Sequence, residues 1–146
     1  MSDRLYPARP ILAASLAVFR QGRVLLGARA APPHDSFYSL PGGLVETGET
    51  LEEAALRELM EETGVEATCC GFTGWSQVIQ RDGEGKVEKH FVIASFAGHW
   101  VSGDGVAGPE LPSVKWVNLS EAALLPLTPG LLPILEKGYA LVGSAR

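Results

Sequence analysis

The order of apolar and polar positions along the chain predicts strands at both ends of one strongly amphipathic helix. Ile11–Phe19 is a nearly unbroken apolar run, and Arg23–Ala28 follows across Gln21-Gly22. Together they predict a β-hairpin. Ala31–Ser36, with Pro32-Pro33, is a loop, and Phe37–Leu40 is a short strand leading into a Pro41-Gly42-Gly43 turn. Leu51 to Thr63 has no Gly or Pro and is built from strong helix formers. Thr50 with Glu53 three residues on forms a capping box at its start, and Gly64 ends it. Ala67–Gln80 reads as β-structure interrupted at Gly71 and Gly74, and Arg81 to Gly85 is a turn. Val87–Phe96 is a strong strand, Gly98–Pro112 a long glycine-rich loop, and Ser113–Val117 a short strand. Ser120 caps a brief helix, and Thr128-Pro129 opens a last helix running towards Leu141. Strands before and after one central helix, closed by a terminal helix, predict a mixed sheet with helices on both sides.

The helical pattern carries an anomaly. At about 100° per residue, Glu58 and Glu62 share a face one turn apart, and Glu61 lies on its edge. Leu51, Ala55 and Leu59 occupy the same arc. The carboxylates therefore sit beside the apolar stripe, whereas a solvated helix turns its charges away from it. Like charges one turn apart destabilise a helix, and partial burial raises the cost unless they are protonated or meet cations. A hard divalent ion such as Mg²⁺ is a suitable partner, since it takes oxygen ligands shared with water and phosphate. An ordinary acidic surface, with Arg57 and Glu61 paired at i,i+4, explains the charge equally well.

Composition narrows the class. With 146 residues, 46% hydrophobic and 20% charged, the chain has the size and balance of one globular domain. We read residues 1–10 as a tail and residues 11–142 as that domain. A net charge of −5 offers no basic footprint for nucleic acid. No apolar run approaches the roughly 18 residues of a membrane span. Ile11–Phe19 follows Arg4 and Arg9 and so loosely mimics a secretory signal, but cleavage there would remove the partner of the next strand. Cys69 and Cys70 are adjacent and have neither metal-ligand nor disulfide-framework spacing. The expected compartment is a reducing cytoplasm.

The order of residues decides between the two readings of the helix. The segment GLVETGETLEEAALRELMEETGV places Gly43, Glu49, Arg57-Glu58-Leu59, Glu61-Glu62 and Gly64-Val65 at fixed spacing. This resembles the Nudix box of the Nudix hydrolases at every defined position. The resemblance implies an α/β/α sandwich and hydrolysis of a nucleoside diphosphate linked to another group. It also implies one to three Mg²⁺ or Mn²⁺ ions as cofactor. By position, Glu58 and Glu62 match the paired metal ligands, Glu61 a ligand of some members, and the Gly42 carbonyl a backbone ligand. Glu49 and Arg57 match a structural pair that orients the ligands. Glu110, six residues before Trp116, resembles an accessory metal-binding glutamate of MutT-type members.

The general base moves within the family. Glu84 and Glu88 are weaker candidates for it than the box glutamates or Glu110. Arg29 is a candidate phosphate contact, and Phe37, Trp116, Trp75 and Phe91 are candidate stacking surfaces. His34, His90 and His99 form no cluster, and His90 is expected to be packed or hydrogen-bonded in its strand. The stretch from Arg81 to Val87 with His90 to Ala94 is similar to small ADP-ribose pyrophosphatases, which implies a nucleotide-sugar substrate. The alternatives are a MutT-type (deoxy)nucleoside triphosphate pyrophosphohydrolase and a non-catalytic nucleotide sensor. Partners are expected to be small nucleotides, with neither nucleic acid nor membrane, and a homodimer is common among relatives.

Overall fold

The computed structural model describes residues 4–31 and 35–144. The Pro32-Pro33 pair and His34 lie outside the described residues. In chain order the elements are β1 (Ile11–Arg20), β2 (Arg23–Ala28), β3 (Tyr38–Ser39), β4 (Gly42–Leu44) and α1 (Leu51–Thr63). Then come β5 (Glu66–Arg81), β6 (Val87–Ser102), β7 (Ser113–Val117), α2 (Leu119–Ala122) and α3 (Leu131–Ser144).

One mixed sheet runs β3-β2-β1-β6-β5, with β4 also paired to β1 and β7 to β2. β1 and β6 are parallel, from Ile11↔Phe91 to Phe19↔His99, and the other pairings are antiparallel. A helix covers each face. Ala14, Leu16 and Val18 pack with Ala55, Leu59 and Phe96 under α1. Ala17, Phe19 and Ala97 pack with Leu131, Leu135 and Val142 under α3. The central strand is therefore buried on both faces over Ala13–Phe19, which is why its sequence is almost continuously apolar and not alternating, with the Ser15 hydroxyl bonded to Ser95. The result is the expected α/β/α sandwich. Among the described residues no helix is long and apolar enough to cross a membrane.

Both ends of α1 form as the sequence predicts. Thr50 and Glu53 complete the reciprocal capping box, and Gly64 adopts the left-handed conformation at φ 74°. Several boundaries differ. Gly42 and Gly43 are not a turn but two of the three residues of β4, zipped to Ala14 and Ser15 of β1. A side chain at Gly42 would stand 2.5 Å from the Ala14 carbonyl oxygen, so glycine here permits strand pairing. The expected loop from Gly98 begins only after Ser102, because Gly98 is a paired residue opposite Cys69 and Val18. Gly71 and Gly74 mark β-bulges inside one long strand, not its ends. Asn118, not Ser120, caps α2, in a box with Glu121. α3 starts at Leu131, because Thr128 to Gly130 form a turn in which the Leu131 N–H donates to the Thr128 carbonyl. Within the N-terminal stretch, Tyr6 is stitched to the β5–β6 hairpin through Glu88 and Asp82.

Candidate active site

Burial of Leu59 and Ala55 against β1 fixes the rotation of α1, and that rotation turns Glu58 and Glu62 towards β4. Glu62 Oε1 accepts a 2.9 Å hydrogen bond from the Gly42 N–H. Burial pushes the Glu62 carboxyl up to about 8, with Glu110 and Glu58 adding to it against the Gly42 N–H and Arg29. Burial also raises Glu58, although Arg57 opposes it. A Cβ at Gly43 would lie 2.5 and 2.6 Å from the Glu58 carboxylate oxygens. Gly43 thus leaves the space that this carboxylate occupies.

Arg57 is the organiser. Its Nε and Nη2 donate to both oxygens of Glu49 at 2.6 and 2.8 Å, and Nη2 also donates to the Leu44 carbonyl at 3.0 Å. Nη1 reaches Glu58 at 3.0 Å and Glu61 at 3.1 Å. One guanidinium therefore ties the loop before α1, the strand β4 and two helix carboxylates together. The Arg57 fork is the main cause that holds Glu49 down at about 2, helped by the Glu46 N–H. The two sequence readings of Arg57 are both present: it pairs with Glu49 and with Glu61.

Glu110 arrives from residues 103–112. Within that stretch the Val106 N–H donates to the Thr63 carbonyl, and the Ala30 N–H donates to the Glu110 carbonyl. A cleft of about 280 Å³ opens between Val106–Glu110 and the last turn of α1, lined by Glu61, Glu62 and Glu110. The charge of Glu110 is felt by both Glu58 and Glu62. Arg29 is close enough to Glu62 to oppose its protonation, and Phe37, partly exposed, shares a backbone hydrogen bond with Arg29. The structure thus gathers Glu49, Arg57, Glu58, Glu61, Glu62, Glu110, Gly42 and Arg29 into one region.

Trp116 is engaged elsewhere. Its indole N–H donates to the Asp104 carbonyl at 2.7 Å, and its ring lies 5.8 Å from Arg20. Trp75 stands exposed on β5 in edge contact with Phe72. Glu84 and Glu88 belong to the β5–β6 hairpin end, where Glu88 holds Tyr6. His90 is hydrogen-bonded to Gln77 within the sheet, as expected. Sequence reasoning missed the Leu44 carbonyl and the Gly42 N–H. Both act through contacts with no local sequence signal.

A hard divalent cation fits the donor set, which consists of carboxylate oxygens beside a strand backbone, two of them raised by burial. Among the described residues no three acidic groups already form a cage. Arg57 and the Gly42 N–H supply the positive partners instead.

A fold of this topology with this acidic helix beside a glycine strand defines a class. The NUDIX domain profile matches residues 9–138, and the chain belongs to the Nudix hydrolase family. It is similar to an ADP-ribose pyrophosphatase of Methanocaldococcus jannaschii, 32% identical over 80% of this chain and 66% of that protein. It is also 32% identical to a CTP pyrophosphohydrolase of Escherichia coli, over 84% of this chain and 86% of that protein. Among solved structures, a MutT Nudix hydrolase from Burkholderia pseudomallei superposes with a TM-score of 0.68 at 29% identity. That match covers 88% of this chain and 98% of the other.

Proposed function

We propose that this chain is a Mg²⁺- or Mn²⁺-dependent pyrophosphohydrolase whose lead substrate is ADP-ribose or a related nucleotide sugar. The observation that carries the reading is Glu62, half-buried beside Glu58 with the Gly42 N–H as a hydrogen-bond partner. Desolvation beside two other carboxylates disfavours its anion, and a divalent cation joining the group offsets that cost.

Glu58 and Glu62 would hold the metal, with Glu61, Glu110 and the Gly42 carbonyl as further oxygen donors. When bound, the ion supplies positive charge that neutralises a diphosphate and polarises its oxygens. Arg57 keeps Glu58 and Glu61 oriented while Glu49 fixes Arg57, so the ligands are pre-organised at little further entropic cost. Arg29 provides a cation for a phosphate, and Phe37 an exposed ring for a base or ribose. In the net reaction, water adds to one phosphorus and the bridging P–O bond breaks. ADP-ribose then yields AMP and ribose 5-phosphate.

The nucleotide-sugar reading is supported by the resemblance around Arg81–Ala94 and by the name of the archaeal relative. A second reading, triphosphate pyrophosphohydrolysis, is favoured by Glu110 at the mouth of the cleft and by the CTP-directed relative. A substrate panel with Mg²⁺ and with Mn²⁺, resolved by ion chromatography, separates them. AMP and ribose 5-phosphate from ADP-ribose support the first. Absence of ADP-ribose turnover overturns it, and pyrophosphate released from triphosphates decides for the second. Unchanged turnover in Glu62→Gln on every substrate overturns both.

A further inference from the structure

Away from the carboxylates, two tryptophans and an arginine form a cluster that the reaction as described does not use. The Arg20 guanidinium lies 3.9 Å from the centre of the Trp100 ring and 5.8 Å from that of Trp116. Its Nη1 also makes a 3.0 Å ion pair with Asp104. Both indole N–H groups point at the same short stretch of backbone: Trp100 donates to the Gly103 carbonyl at 2.6 Å, and Trp116 to the Asp104 carbonyl at 2.7 Å. Three side chains from β1, β6 and β7 thus hold two consecutive residues.

Those two residues begin the connection that ends at Glu110. Gly103 and Gly105 are both left-handed, at φ 93° and 89°, and so bend the chain sharply as it leaves β6. Gly103 passes so close to the end of α1 that a Cβ there would stand 2.5 Å from the Gly64 carbonyl oxygen. The next fixed point is the Val106 N–H on the Thr63 carbonyl, after which the chain borders the cleft beside Glu61 and Glu62. Its far end is held by the buried Leu111 against Gly27 and by the Glu110 carbonyl on the Ala30 N–H. A loop of glycines and small residues has little stiffness of its own, so its path is set by where its ends are fastened.

We propose that Arg20, stacked on Trp100 and Trp116 and paired with Asp104, is a positioning residue that holds the 103–112 connection against α1 and thereby sets Glu110 against the Glu58–Glu62 pair. The arrangement suits arginine: its flat guanidinium stacks on a ring with its face while its edge donates to a carboxylate. Lysine keeps the charge but not the stacked plane. The inference rests on the metal reading above, with Glu110 as a contributor.

Mn²⁺ titration of the full chain by electron paramagnetic resonance tests it, using wild type, Arg20→Leu, Glu110→Gln and the double variant. Arg20→Leu and Glu110→Gln are each expected to weaken Mn²⁺ binding about tenfold, the scale of a residue that supports a ligand. The double variant is expected to be no weaker than Glu110→Gln alone, because Arg20 acts through Glu110. Arg20→Lys is expected to recover part of the loss. Hydrogen exchange reads the geometry without metal: the Val106 amide is expected to lose protection in Arg20→Leu and to keep it in Glu110→Gln. Trp116→Phe, which removes the indole donor to the Asp104 carbonyl and shrinks the ring beside Arg20, is expected to reproduce the exchange change if Arg20→Leu folds poorly. Wild-type Mn²⁺ affinity and Val106 protection in Arg20→Leu, or full additivity in the double variant, would overturn the proposal. Absence of Mn²⁺ uptake by wild type overturns the metal reading itself.

Discussion

Replacing Gly43 by alanine separates the site's chemistry from the fold's stability. The added methyl would stand 2.5 and 2.6 Å from the two carboxylate oxygens of Glu58. An unstrained contact needs about 3.5 Å, so the carboxylate must retreat by about 1 Å. Gly43 has no positive φ, so its backbone accepts alanine. The obstructing atoms are the end of a flexible side chain, which can swing aside. The fold therefore loses little: the about 0.4–1 kcal/mol gained from a stiffer unfolded chain is set against the displacement. Activity loses much more, because a misplacement of about 1 Å in a reacting constellation costs on the order of 10²-fold. That factor corresponds to roughly 2.7 kcal/mol of transition-state stabilisation. Hydrolysis of the best substrate at saturating Mg²⁺, Mn²⁺ affinity, and the melting temperature are measured together. Gly43→Ala is expected to melt within a few degrees of wild type while kcat/KM falls about a hundredfold. Hydrolysis within threefold of wild type would refute the view that this glycine makes room for a working carboxylate.

Three further outcomes follow from the same geometry. Glu62 has a folded pKa of about 8, above its unfolded value, so its favourable contribution is complete below about pH 4.5 and is lost as pH rises through 8. Denaturant melts in EDTA are expected to show wild type losing stability over that window, on the order of 2 kcal/mol after discounting for solvent that reaches the group. Glu62→Gln is expected to remove this slope; an unchanged slope contradicts the assignment. Mn²⁺ uptake at pH 7 is expected to release close to one proton as Glu62 ionises. Calorimetry in buffers of different ionisation enthalpy measures that release, and an enthalpy independent of buffer would exclude it. Arg57→Lys breaks the fork on Glu49 and the bond to the Leu44 carbonyl. It is expected to lower activity about ten- to hundredfold without removing a ligand, and Mn²⁺ affinity with it. Full activity in that variant would reduce Arg57 to a surface ion pair.

Much of this molecule is local and therefore readable from the chain. The start of α1 is a contact between Thr50 and Glu53, three residues apart, and its end is a left-handed Gly64. Apolar spacing over Leu51–Thr63 orients Glu58 and Glu62 together, since one helix carries both. The two-sided burial of β1 is written in the nearly unbroken apolar run of Ile11–Phe19. Spacing within the Glu-rich segment was enough to carry the resemblance to the family, and that resemblance implied the Glu49–Arg57 pair, which the structure forms across the start of α1.

What the chain could not disclose involves partners far apart in sequence. Gly42 and Gly43 read as a turn because glycine signals flexibility; only pairing with β1 shows that they are a strand whose missing side chains admit β1 and Glu58. Gly98 likewise read as the start of a loop until its place between β5 and β1 was known. Trp116 offered itself as a stacking ring, but β7 carries it to Arg20 and Asp104. The rise in the Glu62 pKa comes from desolvation, which depends on everything packed around the group and not on its neighbours in the chain. Sequence determined which carboxylates share one face of α1. Tertiary structure decided which of them are held out of water, how Arg57 divides itself among them, and which loop brings Glu110 alongside. Local spacing sets a side chain's direction, but burial and long-range contact set its charge and its company.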